Sequence, residues 1–232
     1  NQTFGGTDLE EGYSVQQTND GGYIITGYTR SFGNGDQYVY LIKTDGNGIE
    51  QWSQTFGGTS YQYGHSLQQT TDGGYIITGA QGDGSSEQDL YLIKTDGNGI
   101  EQWSQTFDGT SYQFGNSVQQ TTDGGYIITG GTGSFDFEGD VWLLKTDGSG
   151  VEQWSQTFGG TEQDEGKSVQ QTTDGGYIIT GYNNPGWYIY LIKTDVNGNV
   201  TSEFSIPINS NRELKKVVDI LGRDINPEKN KP

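Results

Sequence analysis

The sequence repeats one unit four times with a period of about 51 residues, and this repeat constrains the fold more than any other feature. The tryptophans of the QWSQTF motif are spaced by 51 residues, at Trp52, Trp103 and Trp154. The DGGYIITG motif occurs once in each unit, starting at Asp20, Asp72, Asp123 and Asp174. Because a single unit of this size cannot bury its apolar faces alone, such units pack on their neighbours along the chain.

Each unit contains four short strand candidates separated by turn motifs. In the second unit these strands are predicted at residues 66–70, 75–79, 90–96 and 100–107. Asp-Gly motifs, which accept the positive φ that hairpin turns need, join the first strand to the second and the third to the fourth. The second strand is apolar on both faces at Tyr75, Ile76 and Ile77, as expected of a sheet that packs between two others.

These features predict an all-β fold, a four-bladed β-propeller of four-stranded antiparallel blades over residues 1–208. The alternative is a linear β-solenoid, but solenoid coils are parallel, whereas these hairpin turns require antiparallel pairing. We expect the four units to close into a complete ring, with a piece of a larger ring as the alternative. Residues 1–4 match the end of a fourth strand although the last unit has a weak fourth strand of its own. The mode of closure is therefore not determined by the sequence.

The repeated motifs FGGT, DGGYIITG and LIKTDGNG also resemble those of a family of secreted bacterial and archaeal β-propeller-like repeats. The resemblance covers residues 1–208. It implies the architecture and says almost nothing about activity, because such repeats occur in many otherwise unrelated surface proteins.

Composition excludes several classes of protein and partner. Aromatic residues make up 12% of the chain, which argues against intrinsic disorder. The formal net charge of −18 would repel nucleic acid and anionic lipid headgroups. The chain contains no cysteine and no apolar run of membrane-spanning length. It begins at Asn1 without a signal peptide, so we expect a processed or trimmed chain.

Variation among the four units is confined to one end of the predicted sheets. The turns between the first and second strands and between the third and fourth strands are nearly invariant. The loops between units, and those between the second and third strands, differ in sequence and partly in length. Alternating strand direction places both variable sets on the same face, where binding groups are usually carried. The alternative is that these loops vary only because packing does not constrain them.

The candidate binding residues lie where the variable loop enters the first, innermost strand. They are the residue just before the invariant serine of this strand and the residue two positions earlier. Across the four units these two positions carry aromatic rings, an imidazole, carboxylates, an amide and a lysine. Such a mixture suits a polar ligand with apolar patches, such as a sugar ring. A solvated rim with no ligand is the alternative. The candidates are Glu11, Tyr13, Tyr63, His65, Phe114, Asn116, Glu165 and Lys167.

No catalytic, metal or cofactor motif stands out, so we expect a non-enzyme without a cofactor. His65 is the only histidine, which excludes a His-based metal site or Ser-His-Asp relay in every blade. Adjacent acidic residues such as Asp164 and Glu165 are interpreted as a charged loop edge. The run from Asp45 to Glu50 lacks the ligands of a complete calcium loop and is interpreted as a turn.

Two further repeated positions are interpreted as structural. The lysines equivalent to Lys94 are expected to form ion pairs with the aspartate two residues later or with a glutamate across the hairpin, here Asp96 and Glu101. The tryptophans equivalent to Trp103 are expected to occupy equivalent, largely buried packing sites.

The C-terminal tail, residues 209–232, differs from the repeats. Leu214, Val217, Val218 and Leu221 have helical spacing, which alone predicts an amphipathic helix ending at Gly222. The run KVVDILGR (216–223) and the flanking residues also resemble the first half of the C-terminal sorting domain of the type IX secretion system of Bacteroidota. In that family the run is a strand of a small β-sandwich. The resemblance implies the type IX secretion machinery as a partner and an extracellular or cell-surface destination.

Two classes of function are compatible with these observations. The first is a secreted recognition module that binds a glycan or a surface protein through the variable face. The second is a structural or display domain of an extracellular assembly that has no small-molecule ligand.

Overall fold

The structure, a computed structural model, describes residues 1–33, 36–58, 61–82, 88–108, 112–134, 138–184 and 186–206. These residues form sixteen strands in four sheets, each with four strands in chain order and every neighbouring pair antiparallel. The predicted all-β fold of four-stranded antiparallel units is thereby confirmed. The predictions for residues 209–232 fall outside the described residues.

The first two sheets correspond to the first two sequence units. Sheet 1 consists of β1 (Glu10–Gln17), β2 (Tyr23–Thr29), β3 (Tyr38–Thr44) and β4 (Glu50–Phe56). Sheet 2 consists of β5 (Tyr61–Gln69), β6 (Tyr75–Gly82), β7 (Gln88–Thr95) and β8 (Glu101–Phe107). The first strand of sheet 2 therefore begins five residues earlier than the sequence pattern predicts.

The last two sheets repeat this arrangement. Sheet 3 consists of β9 (Tyr112–Gln120), β10 (Tyr126–Ser134), β11 (Glu138–Thr146) and β12 (Glu152–Phe158). Sheet 4 consists of β13 (Asp164–Gln171), β14 (Tyr177–Asn183), β15 (Tyr188–Thr194) and β16 (Val200–Ile206). No helix long and apolar enough to cross a membrane occurs within these described ranges.

The invariant turns are fixed by aspartate side chains. In the turn between β5 and β6, Asp72 Oδ1 accepts hydrogen bonds from the Gly74 N–H and the Thr70 hydroxyl, at 3.0 and 2.5 Å. In the turn between β7 and β8, Asp96 Oδ1 accepts from the N–H groups of Asn98 and Ile100, at 2.8 and 2.9 Å. These bonds replace backbone partners that the tight turns cannot supply, which explains why the aspartates recur.

The apolar core lies between consecutive sheets. We call the face of a sheet that packs against the next sheet along the chain its forward face, and the opposite face its rear face. Ile76, on the forward face of sheet 2, packs with Tyr126 and Ile128 on the rear face of sheet 3. Ile77, on the rear face of sheet 2, packs against sheet 1 instead. The prediction that the second strand is buried on both faces is confirmed.

The repeated tryptophans occupy equivalent packing sites, as predicted, but each is half-buried rather than largely buried. Trp103 packs against Tyr126 of the next sheet, with ring centroids 5.9 Å apart, and the same contact joins Trp52 to Tyr75 and Trp154 to Tyr177. The fourth strand is the outer edge of its sheet, so one side of each indole faces solvent.

The repeated lysines form ion pairs, but not with the predicted partners. The buried Lys94 Nζ lies 2.9 Å from Asp72 Oδ2, and it also donates hydrogen bonds to the Thr95 carbonyl and to Gln102 Oε1. Asp96 and Glu101 were the predicted partners, but Asp96 Oδ1 accepts the amide hydrogens of its own turn and the salt bridge is made to Asp72. The lysine therefore connects the two hairpin turns at one end of the sheet.

The structure does not show sheet 4 closing on sheet 1. Val15, on the rear face of sheet 1, is 66% exposed, whereas its counterparts Leu67, Val118 and Val169 are 7%, 6% and 3% exposed. The predicted closed ring of four units therefore stays a prediction.

Candidate functional site

The first strands of consecutive sheets contact one another, as the innermost strands of a propeller would. Each contains one residue that has no partner in the ladder to the second strand. In sheet 2, Gly64 pairs with Gly79 and Ser66 pairs with Thr78, which leaves His65 as the extra residue of a β-bulge. The residues at this bulge position are Tyr13, His65, Asn116 and Lys167.

The bulge explains the invariant glycine that ends the YIITG motif. A Cβ atom on Gly79 would lie 1.7 Å from the carbonyl oxygen of Tyr63, because the bulged strand approaches its partner closely at this point. Sequence reasoning placed the variable residues at the end of a loop. The structure instead places them inside the first strand, where a bulge redirects a side chain without ending the strand.

The eight candidate residues gather at one end of the four innermost strands. The rings of Tyr13 and His65 lie 5.4 Å apart, and Tyr63 stacks on His65 at 6.1 Å. The four bulge residues together line a shallow depression. Four of the eight candidates, His65, Phe114, Asn116 and Glu165, also line a larger cavity.

Glu165 is the most constrained of these residues. It is 6% exposed, and its carboxylate accepts hydrogen bonds from Asn116 Nδ2 and from the Tyr182 hydroxyl, both at 2.6 Å. Lys167 forms a salt bridge with the same carboxylate. Burial, together with the hydrogen bond to Glu165, raises the pKa of Tyr182 above its ordinary value. The buried charge is therefore compensated within the protein.

A hydrogen bond to the next sheet fixes the tautomer of His65, and burial favours its neutral form. Its Nδ1 lies 3.1 Å from the carbonyl oxygen of Gly115, and because a carbonyl can only accept, Nδ1 carries the proton. Burial lowers the pKa of His65 below its ordinary value. The ring therefore presents Nε2 as a hydrogen-bond acceptor.

The tyrosines of sheets 1 and 2 pack mainly on one another. Tyr28 lies between Tyr13 and Tyr63, at centroid distances of 6.0 and 5.6 Å. The Tyr13 hydroxyl donates to Glu11 at 3.3 Å, and burial together with the charge of Glu11 raises the pKa of Tyr13 to about 12. This half of the candidate set is a packed aromatic cluster, and the larger cavity lies on the other half.

The larger cavity, of about 480 Å³, lies beside sheets 3 and 4. Gly131 is part of its lining, at a position where the second strands of sheets 1 and 4 carry Tyr28 and Tyr182 and that of sheet 2 carries Ala80, so no large side chain from this position fills the space. The lining residues combine two aromatic rings with amides, carboxylates and small residues. They are His65, Tyr112, Phe114, Asn116, Gly131, Thr132, Gly133, Gly139, Gln163, Asp164 and Glu165.

The buried carboxylate of Asp164 lines this cavity and the half-buried carboxylate of Asp140 lies beside it, a pair that sequence reasoning did not single out. Asp164 accepts hydrogen bonds from the N–H groups of Gly160 and Asn184 at 2.9 and 3.1 Å. A Cβ atom built on Gly159 would lie 2.0 Å from Asp140 Oδ1 and 2.6 Å from Asp164 Oδ2, so both carboxylates flank Gly159. Burial raises the pKa of both aspartates. Carboxyl groups with raised pKa values beside a cleft are typical of functional sites.

The described residues contain no group of three or more potential metal ligands of the His, Cys, Asp or Glu type. Asp45, the first residue of the run that resembles part of a calcium loop, accepts hydrogen bonds at Oδ1 from the N–H groups of Asn47 and Ile49. These bonds support its interpretation as a turn residue.

No protein-family model and no curated protein sequence matches this chain. Among solved structures, the calcium-binding protein regucalcin from Agrobacterium tumefaciens is similar, with a TM-score of 0.45 and 11% identity. The similarity covers 84% of this chain and 60% of regucalcin. Sqt1 from Chaetomium thermophilum is similar with a TM-score of 0.40 and 12% identity over 87% of this chain and 62% of Sqt1. This chain thus spans less than two thirds of each of these structures.

Proposed function

We propose that this protein is a recognition module that binds a glycan, or a surface partner that carries one, in the cavity beside sheets 3 and 4. The observation that carries the proposal is the composition of that cavity. Its volume of about 480 Å³ lies within the range of small-ligand sites, and rings of Tyr112 and Phe114 stand beside amide and carboxylate groups. An aromatic ring packs on the apolar face of a sugar, while amides and carboxylates bond its hydroxyl groups.

The charges around the cavity favour neutral or cationic sugars over acidic ones. Asp164 lines the cavity, and Asp140 lies beside it across Gly159. Lys167 forms a salt bridge with Glu165 in the cavity lining, which compensates its positive charge. The protein as a whole carries a formal net charge of −18. A sialylated or uronic-acid glycan would therefore be repelled, and an amino sugar would be attracted.

A glycan array followed by calorimetry tests this proposal. The array should contain matched neutral, amino and acidic sugars. We expect the protein to bind neutral or amino sugars and not the acidic ones. Tyr112→Ala should weaken binding of the selected glycan at least tenfold because it removes one aromatic wall. Tyr61→Ala is the matched control, since Tyr61 occupies the same position in sheet 2 but does not line the cavity. Equal losses in both variants, at unchanged stability, would contradict the proposed site.

Binding without turnover is part of the proposal. In support of it, the groups best placed for chemistry already have partners within the protein: His65 Nδ1 bonds the Gly115 carbonyl, and the Asp164 carboxylate accepts the N–H groups of Gly160 and Asn184. Mass spectrometry of a bound glycan after prolonged incubation should find it intact. Hydrolysis that disappears in Asp164→Asn would refute this part.

A structural or display role is the second candidate, and one observation favours it. The side chains of Glu165, Asn116, Lys167 and Tyr182 largely satisfy one another, so that this part of the surface is stable without a ligand. A folded protein that binds no member of the array would support this second role.

The overall arrangement and the destination of the chain belong to the same proposal. We place the four sheets as blades of a β-propeller, with the candidate residues on the face that carries the variable loops. The proposed export through type IX machinery rests on the resemblance of residues 209–232 and is independent of the cavity. Expressed behind a secretory signal peptide, the full chain should reach the surface of a Bacteroidota host that has this machinery and stay inside a strain that lacks it.

A further inference from the structure

The rear face of sheet 1 and the forward face of sheet 4 are the two halves of a joint that occurs three times within the chain. At each internal joint, a forward face with an Ile, a Val or Leu, and a Leu packs against the rear face of the next sheet. On sheet 4 the corresponding forward residues are Ile178, Ile189 and Leu191. Ile189 is 44% exposed, whereas its counterparts Val39, Leu90 and Val141 are each 1% exposed.

A threonine–glycine contact makes each joint specific. The buried Thr78 of sheet 2 abuts Gly115 of sheet 3 so closely that a Cβ on Gly115 would lie 2.1 Å from Thr78 Oγ1. The other two joints repeat this contact between Thr26 and Gly64 and between Thr129 and Gly166. At the ends, Thr180 is exposed, and a Cβ on Gly12 would meet only Ile25 of its own sheet, at 3.7 Å.

Hydrogen bonds across the joints follow the same rule. The backbone N–H of Gln120 donates to Gln68 Oε1 of the preceding sheet, and Gln69 and Gln171 make the same bond to Gln16 and Gln119. If the series continued, the backbone N–H of Gln17 in sheet 1 would donate a hydrogen bond to Gln170 Oε1 in sheet 4 of another copy of the chain. Within the described part of the chain these two residues make no such bond. Each end therefore carries apolar, steric and polar features that match the other end, except at the outer edge of sheet 1, where Gln2 of the same chain lies against Gly48 in the place that Gln54 and Gln105 take at the internal joints.

We infer that the exposed ends are the interface for a second copy of this chain, joined head to tail. The forward face of sheet 4 of each copy packs on the rear face of sheet 1 of the other, so that two joints of the internal type close the assembly. Two copies give eight sheets, which lies within the four to eight blades of typical propellers, whereas three copies exceed that range. Head-to-tail contacts form a closed ring when the rotation closes.

Sedimentation and native mass spectrometry of the full chain test this inference. At micromolar concentration we expect one species with twice the mass of the 25.3 kDa chain. Gly12→Leu, which places a side chain where Thr180 of the second copy would lie, should yield monomers with unchanged far-UV circular dichroism. Gly58→Leu is the matched control, because a Cβ on Gly58 meets nothing within 4 Å, and it should stay dimeric. A monomeric wild-type chain, or a dimer that persists in Gly12→Leu, would overturn the inference.

A mixing experiment distinguishes the head-to-tail joint from a symmetric contact. Leu191→Glu blocks the forward face of sheet 4, just as Gly12→Leu blocks the rear face of sheet 1, and each variant alone should be monomeric. An equimolar mixture should form a heterodimer through the one intact joint. Failure to form it, or a ladder of oligomers larger than the dimer from the wild-type chain, would overturn the two-copy ring.

Discussion

Replacing Gly99 with alanine should destabilise the protein through a contact that its counterpart Gly48 does not make. Both glycines end the turn between the third and fourth strands, with φ of +77° at Gly99 and +80° at Gly48. An alanine at either position has the same left-handed backbone, at a cost of about 1–2 kcal/mol. A Cβ on Gly99 would in addition lie 2.5 Å from the indole ring of Trp52, whereas on Gly48 it would meet only Gln2 Cγ, at 3.6 Å.

The expected difference follows from the packing of that ring. Trp52 packs on Tyr75 as well as against this turn, so moving the ring away from a new Cβ would disturb its contact with Tyr75. Overpacking of this kind costs about 1–3 kcal/mol. We therefore expect Gly99→Ala to lose about 2–5 kcal/mol of unfolding free energy and Gly48→Ala about 1–2 kcal/mol.

Urea unfolding at one fixed protein concentration, with equal m-values, measures both losses. In the background of Trp52→Ala the extra cost of Gly99→Ala should disappear, which gives a coupling energy of about 1–3 kcal/mol in a double-mutant cycle. Equal losses for Gly48→Ala and Gly99→Ala would refute the reasoning, as would a coupling energy near zero.

Four further outcomes follow from the structure. Lys94→Met should lower stability by about 1–3 kcal/mol because the buried Thr95 carbonyl loses its donor, and the pKa of Asp72, measured by NMR, should rise towards its ordinary value. Although burial opposes the shift, hydrogen bonds hold the pKa values of Asp72 and Asp123 at about 2. Their contribution to stability is therefore complete above the unfolded-state pKa near 4 and should be lost as pH falls towards 2, which urea midpoints between pH 2 and 6 will show. Burial lowers the pKa of His65, so as pH falls the unfolded chain takes up this proton before the folded protein does. The free energy of unfolding should therefore already decrease below about pH 6.5. His65→Gln should remove this part of the pH profile, and an unchanged profile would contradict the burial of the ring. Trp103→Ala should cost about 2–3 kcal/mol in urea, below the 3–5 kcal/mol of a fully buried tryptophan, since the indole is half-buried.

The repeat period and the Asp-Gly turns were sufficient to predict the four antiparallel sheets, because both are local features of the sequence. The ion pair of Lys94 was predicted wrongly, since its partner Asp72 lies 22 residues away and only the folded sheet shows that the two turns share an end. The bulge at His65 was not predicted either. The invariant Gly79 was its signal, but a glycine at the end of a strand has several possible causes.

The candidate site could be predicted only in part, for a similar reason. The variation among units selected His65, Phe114, Asn116 and Glu165, which do line the cavity. The cavity itself depends on the missing side chain of Gly131, and the pairing of Asp140 with Asp164 depends on which loops become neighbours. Neither is encoded in a short motif.

The β-bulge turns one residue in each unit into an interchangeable position. Its side chain is outside the ladder of pairings, so the fold tolerates a ring, an imidazole, an amide or an ammonium group there, as Tyr13, His65, Asn116 and Lys167 demonstrate. The surface at this end of the sheets can therefore change its chemistry without a change in strand pairing, provided that the buried Glu165 keeps partners such as Asn116 and Lys167. Different side chains at these four positions would give different surfaces on one unchanged ladder of pairings.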